Sequence, residues 1–329
     1  MKRTMAAACV LLLFASLSSA GPLKPEQVAG DAVWVAHLDV ASLLKSGIGK
    51  FILEEAEKKQ GFLEGIAKIR ETLGFDPLSD VRGLTLYGKK FGDKSGVVII
   101  DATADQDKIV TLFEANPTHK TSAYGDYTLH EWTDPAKTET DPDTGEQVVV
   151  KEAETKFGTF YDEKTILVGS SLDLLKGAVD VLAGEADSLA KTTAIQTLPK
   201  PVEGVILTIG AEKIDFAAQD QADKPNPFGI ITDLSVQVGE AQGAMFLHAK
   251  ALVGTAEKAL KLRQVVQGFV ALGQMMMAEQ PDLPVLGERI QVGGAENAVQ
   301  VDAEIPTESL IKMVRFLAER NKQTVEGGS

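Results

Sequence analysis

Cysteine is almost absent from the chain, and the single one, Cys9, lies in an N-terminal apolar run. Met1-Lys2-Arg3 precedes that run, which extends from Met5 to Ala15, and Ser18-Ser19-Ala20 follows it. A positive start, an apolar core and small residues form a secretory signal peptide, expected to be cut after Ala20. Cys9 sits inside the apolar core and not after it, which argues against a lipid-attachment cysteine. The mature chain then has no disulfide, no thiolate nucleophile and no cysteine-held metal. At this length a core can form without cross-links.

Positive charge is also scarce, with 33 Lys+Arg against 47 Asp+Glu. Loss of Lys2 and Arg3 moves the formal charge from −14 to −16. That balance disfavours nucleic acid and anionic membrane surfaces, both of which need basic patches. Aromatic residues make up only 6% of the chain, which weakens the case for a sugar-stacking surface. Beyond residue 20 no apolar run is long enough to span a bilayer, so no transmembrane segment is expected in the mature chain.

Catalytic sets are missing as well. No G-x-x-x-x-G-K-[ST], G-x-S-x-G or H-x-x-x-H occurs. Ser42-Leu43-Leu44-Lys45 matches an S-x-x-K nucleophile pattern, but the companion K-T-G is absent. Ser309-Leu310-Ile311-Lys312 repeats it at a second helix start, as helix capping explains. Ser170 and Ser171 follow Gly169 at a strand-to-helix turn and read as caps. His37 shares a strand face with Val33 and Val35 and reads as core. The four histidines, His37, His119, His130 and His248, look scattered. His130, with Glu131 and Trp132, is the best candidate for a polar ligand site. Asp141, Asp143 and Glu152 faintly follow a calcium-loop spacing. Glycine stands at the fifth position and Glu146 where glycine is required, so a hairpin loop fits better. No cofactor is implied.

What is present is alternation. Gly74 to Asp101 reads as a helix end, a turn at Pro77, and two strands around the polar loop Lys89–Gly96. Ala32–Val40 is a strand. Ser42 is the expected cap of helical residues 42–73, which Gly47, Gly49, Gly61 and Gly65 break into two shorter helices. Asp105–Ala115 and Leu172–Leu182 are expected helices. Tyr127–Trp132, Val148–Val150, Thr155–Tyr161 and Thr165–Gly169 are expected strands. Later come strands at 204–209, 230–238, 244–252, 290–292 and 298–305. Helices follow at 211–221 and 255–279, and Thr307 is read as the cap of a last one. The helix at 255–279 is apolar over a broad surface that includes Phe269, Leu272 and Met275 to Met277. That suits packing or a lipid- or peptide-binding groove.

RGLTLYGKKFGDKSGVVIID and TDLSVQVGEAQGAMFLHAKAL share an order of strand, glycine turn and strand, each followed by a helix. The expected fold is α+β, with two similar halves arising by duplication. Each half is an elaborated ferredoxin-like antiparallel sheet with helices on one face. The divisions are 1–20 signal peptide, 21–184 first half, 185–202 linker, 203–321 second half and 322–329 flexible tail. The halves are expected either to pack face to face or to leave a cleft.

The AVWVAHLDV strand, the GFDPLSDVRGLTLYG passage and the LRQVVQGFVAL helix resemble a group of secreted bacterial proteins of uncharacterised function. That resemblance covers most of the mature chain and implies export and an α+β architecture, without an activity. The sequence thus leads to a non-enzymatic binding or structural module of the periplasm or cell envelope. Its partner is an unnamed protein or small molecule. Two other readings are a small-ligand or lipid carrier using a cleft between the halves, and a hydrolase whose site is dispersed over loops.

Overall fold

The computed structural model describes residues 21–92, 95–140, 147–192, 194–214, 228–278 and 289–326. For 276–278 and 319–326 it describes only the backbone. The expected signal peptide, Asp141, Asp143, most of the expected helix 211–221 and the last three residues lie outside these.

Twelve of the strands among the described residues form one antiparallel sheet. Its centre is the pairing of β1 (Trp34–Asp39) with β10 (Val205–Ala211), Trp34 opposite Ala211. Outward from β1 come β2 (Val81–Gly88), β3 (Gly96–Ala102), β9 (Thr165–Gly169) and β8 (Glu154–Phe160). Beyond these lie β5 (Tyr127–Asp134) and β4 (Lys120–Tyr124). Outward from β10 come β11 (Ile231–Ala241), β12 (Ala244–Val253), β14 (Ala298–Pro306) and β13 (Ile290–Gly293). Over five strands the order therefore repeats on the two sides. The first half adds β4, β5 and a separate ribbon, β6 (Lys137–Thr140) with β7 (Gln147–Lys151). The two expected arrangements of the halves, face to face or across a cleft, are both replaced by an edge-to-edge join. Pairing β1 with β10 satisfies two rows of backbone groups that would otherwise be open edges.

Cross-strand partners point their side chains to the same face. One row on the front face reads Thr159, Leu167, Ile99, Thr85, His37, Thr208, Gln237, His248, Asp302, Gln291. The adjacent back row reads Thr121, His130, Gly158, Val168, Val98, Leu86, Ala36, Ile209, Val236, Ala249, Val301, Val292. The back is thus apolar across nine consecutive strands. The front changes from apolar to charged along its length.

Helices lie on both faces, not on one as expected. On the front, α5 (Leu172–Ala183) buries Leu175, Ala178 and Val179 against Leu167, Val97 and Tyr87. On the back, α4 (Gln106–Glu114) covers the outer strands of the first half through Phe113. Also on the back, α6 (Ala256–Ala278) covers the second half through Ala259 and Leu262. Both faces carry apolar side chains in the first half, so a single helical layer could not bury them.

The expected linker 185–202 is a packed strap. Leu189 and Ile195 are buried beside Val28 and Ala32, and Leu189 N–H donates to the Val28 carbonyl. Its polar composition follows its outer side only. Helices α1 (Val40–Lys45), α2 (Gly47–Glu57) and α3 (Phe62–Leu73) replace the two expected between 42 and 73. Asp39, not Ser42, caps α1, accepting from Ser42 N–H at 2.8 Å. Gly74 ends α3 at φ +72°, a left-handed conformation that glycine adopts without strain. The last helix, α7 (Thr307–Glu326), runs past the boundary at 322 expected for a tail. Thr307 is its first residue, and its hydroxyl has no partner among the described residues, so it is not a cap.

The halves also interlock. Glu240 of β11 accepts from Gly47 N–H at 3.0 Å and Ile48 N–H at 3.1 Å, so a second-half carboxylate caps first-half α2. Arg315 of α7 lies over the Phe51 ring of α2, 5.2 Å from its centroid.

Candidate functional site

The sheet separates the expected trio His130, Glu131 and Trp132. On β5 these residues alternate, so His130 and Trp132 face the back. Glu131 faces the front, where its nearest cation is Lys120 at 3.6 Å. His130 instead meets a histidine that the sequence reading left scattered. His119 Nε2 lies 3.0 Å from His130 Nδ1. The β4–β5 hairpin sets Thr121 opposite His130, which puts His119 diagonally beside it on the same face. Phe113 of α4 stacks on this surface, 4.5 Å from the Trp132 ring and 5.3 Å from His130. His130 is 4% exposed. Burial, then the neighbouring His119, holds its imidazole below the ordinary range, with Glu114 opposing. Among the described residues the hydrogen-bond partner of His130 is His119.

Glu152 is exposed between β7 and β8, and the residues flanking 141–146 form the β6–β7 hairpin. The described residues contain no group of three or more His, Cys, Asp or Glu able to hold a metal. Ser171 Oγ accepts from Leu174 N–H at 3.3 Å and caps α5, as expected. Ser170 Oγ donates to the Gly96 carbonyl at 3.2 Å. Ser42 Oγ donates to Asp39 at 2.8 Å. His37 is buried in the core, as its strand face implied. A carbonyl can only accept, so its Nε2 carries the hydrogen toward Gly21 O (3.2 Å), and Nδ1 accepts from Thr85 Oγ1 (2.8 Å). Burial lowers its affinity for a further proton.

Two concavities lie back to back in the second half. The front one, about 470 Å³, runs over β12–β14 past Phe246, His248, Asp302, Glu304, Gln291 and Arg289. His248 Nδ1 lies 2.8 Å from Asp302 Oδ1, both groups about half exposed. No Ser, Thr or Tyr hydroxyl lines it.

The back one is a groove of about 340 Å³ between α6 and the sheet. Its lining is wholly apolar: Phe228, Ile231, Leu234, Ala249, Ala251, Leu262, Val266, Val299 and Val301. The sheet contributes alternate positions of β12 and β14, an apolar series created by the two-residue period, and a bulge in β11 brings Ile231 and Leu234 to the same face. The helix docks through Ala259 and Leu262, both essentially buried. Further along it, Phe269 is 58%, Leu272 54% and Met275 68% exposed. The Phe228 and Phe269 rings stack at 6.3 Å and close one side. The sequence marked the helix as broadly apolar but not this groove, because the floor comes from strands with ordinary valines and alanines.

No family model and no curated protein matches the chain. Solved structures that resemble it include crystal form III of TP0453 (9% identity, TM-score 0.47), form IV (11%, 0.42) and form I (10%, 0.43). Each covers 90% of this chain and 97–98% of its own. Among the described residues no helix is long and apolar enough to cross a membrane.

Proposed function

We propose that the protein is an exported binding module that holds one apolar chain, of the size of a short acyl tail, in the groove beneath α6. The observation that carries this reading is the nine-residue apolar lining with no polar group to orient a ligand. Its volume lies at the low end of the roughly 300–1,000 Å³ of small-molecule sites, which suits a single chain better than a bulky ligand. The groove lies within the second half, so the carrier reading moves there from the cleft expected between the halves.

The test is displacement of a neutral fluorescent reporter, N-phenyl-1-naphthylamine, by straight-chain fatty acids of increasing length. Saturable one-to-one displacement is expected, weakening at least tenfold in Ala249→Phe, which fills the groove floor. Thermal unfolding of the variant checks that its fold is kept. A reporter that does not bind, or equal binding by a folded Ala249→Phe, rejects the proposal.

A further inference from the structure

At the opposite end of the back face, α4 rests on two hydrogen-bonded histidines. The contact between His119 Nε2 and His130 Nδ1 at 3.0 Å requires one nitrogen to carry a hydrogen and the other a lone pair. A first added proton can go to an outer ring nitrogen and leave this bond intact, now charge-assisted. A second must go to the remaining lone pair. Two N–H groups and two positive charges would then face each other across that distance, one of them on a buried ring.

Phe113 spans the pair, with ring centroids 5.9 Å from His119 and 5.3 Å from His130, and the Phe160 edge closes the far side of His130. Parting the histidines therefore disturbs the seat of Phe113. Otherwise α4 is lightly held: its nine residues include one buried side chain, Ile109, and Gln106 Nε2 donates to the Asp162 carbonyl at 3.0 Å. Helices with so few buried contacts open locally at low cost.

We propose that the α4 corner is an acid-released latch, in which uptake of a second proton by the His119–His130 pair frees α4 from the sheet and bares Phe113 and Trp132. This goes beyond the ligand reading and does not depend on it.

The surrounding charges do not cancel the effect. Glu114, at the end of α4, favours protonation of His130, while His119 and burial oppose it more strongly. Lys156, beside Trp132, is already paired with Asp134 at 2.6 Å. Glu131 and Lys120 lie on the other face of the sheet. The closed corner binds its second proton less readily than the open one. Closure is therefore fully favoured above the ordinary imidazole value, about 6.5, and is lost as pH falls toward the closed-state value. Opening should grow on the order of tenfold for each pH unit across that window.

Hydrogen exchange of the wild-type chain, corrected for intrinsic rates, reads this directly. Between pH 7 and pH 5 the amides of 106–114 should lose protection by at least tenfold while β1, β2 and β3 keep theirs. His130→Phe keeps an aromatic seat for Phe113 and removes the buried base, so its α4 protection should not change with pH. His119→Leu removes the facing N–H and charge, so it should open less than wild type at pH 5. Constant α4 protection in the wild type overturns the proposal. So does an acid loss equal to wild type in whichever variant folds.

Discussion

The two halves of the sheet cover the same front face in opposite ways. In the first half Leu167, Ile99 and Val97 lie under α5, which follows β9. In the second half the positions matching Ile99 and Leu167 are His248 and Asp302, and they line an open concavity with Gln291. The helix in the place of α5 is α7, which follows β14 but turns to pack on α2. Strand order is thus shared while cover is not. The polarity of alternate strand residues decides where a helix docks, since an antiparallel sheet can leave one face to solvent. On the back face both halves are apolar, and there each has a helix.

The largest effect that could break this comparison lies in the cores. Leu175→Ala, under α5, should cost about 3–5 kcal/mol in urea unfolding, because the site is fully enclosed. Leu262→Ala, under α6, should cost about 2–3 kcal/mol, because it borders a groove that already exists. Equal costs would mean that the second half is as tightly covered as the first.

A smaller effect tests the interlock. Glu240→Gln should lose about 1–2 kcal/mol by weakening the cap on α2, with unfolding still a single transition. Two separated transitions in the wild type would show the halves to be independent.

The smallest effect sharpens the view of the bare face. Asp302→Asn should shift stability by less than about 1 kcal/mol, since its pair with His248 is exposed to solvent. A larger loss would reveal a structural role for the open side.

Most strands and several helix ends were legible in the sequence because their causes are local, whereas β4 and β6, both short and exposed, were not expected. Alternation in AVWVAHLDV, the left-handed glycine Gly74 and the Ser171 cap each act within a few residues. What was not legible depends on register between distant segments. Nothing near Trp34 names Ala211 as its partner. The pairing of His119 with His130 follows from a hairpin that fixes which diagonal neighbours meet. The strap hid Leu189 and Ile195 among polar residues, since only its inner side is apolar. The groove needed residues of three strands and one helix to be brought together, a coincidence that no single stretch displays.

The join between β1 and β10 also sets an order of assembly. In a chain emerging from its N-terminus, Trp34–Asp39 can pair with β2 early, but its other edge waits until Val205–Ala211 has been made. The middle of the sheet therefore waits on a contact distant in sequence, which is slow to form. During the wait, an apolar strand with open backbone groups is exposed to every other chain nearby, and it is there that a crowded preparation would begin to tangle.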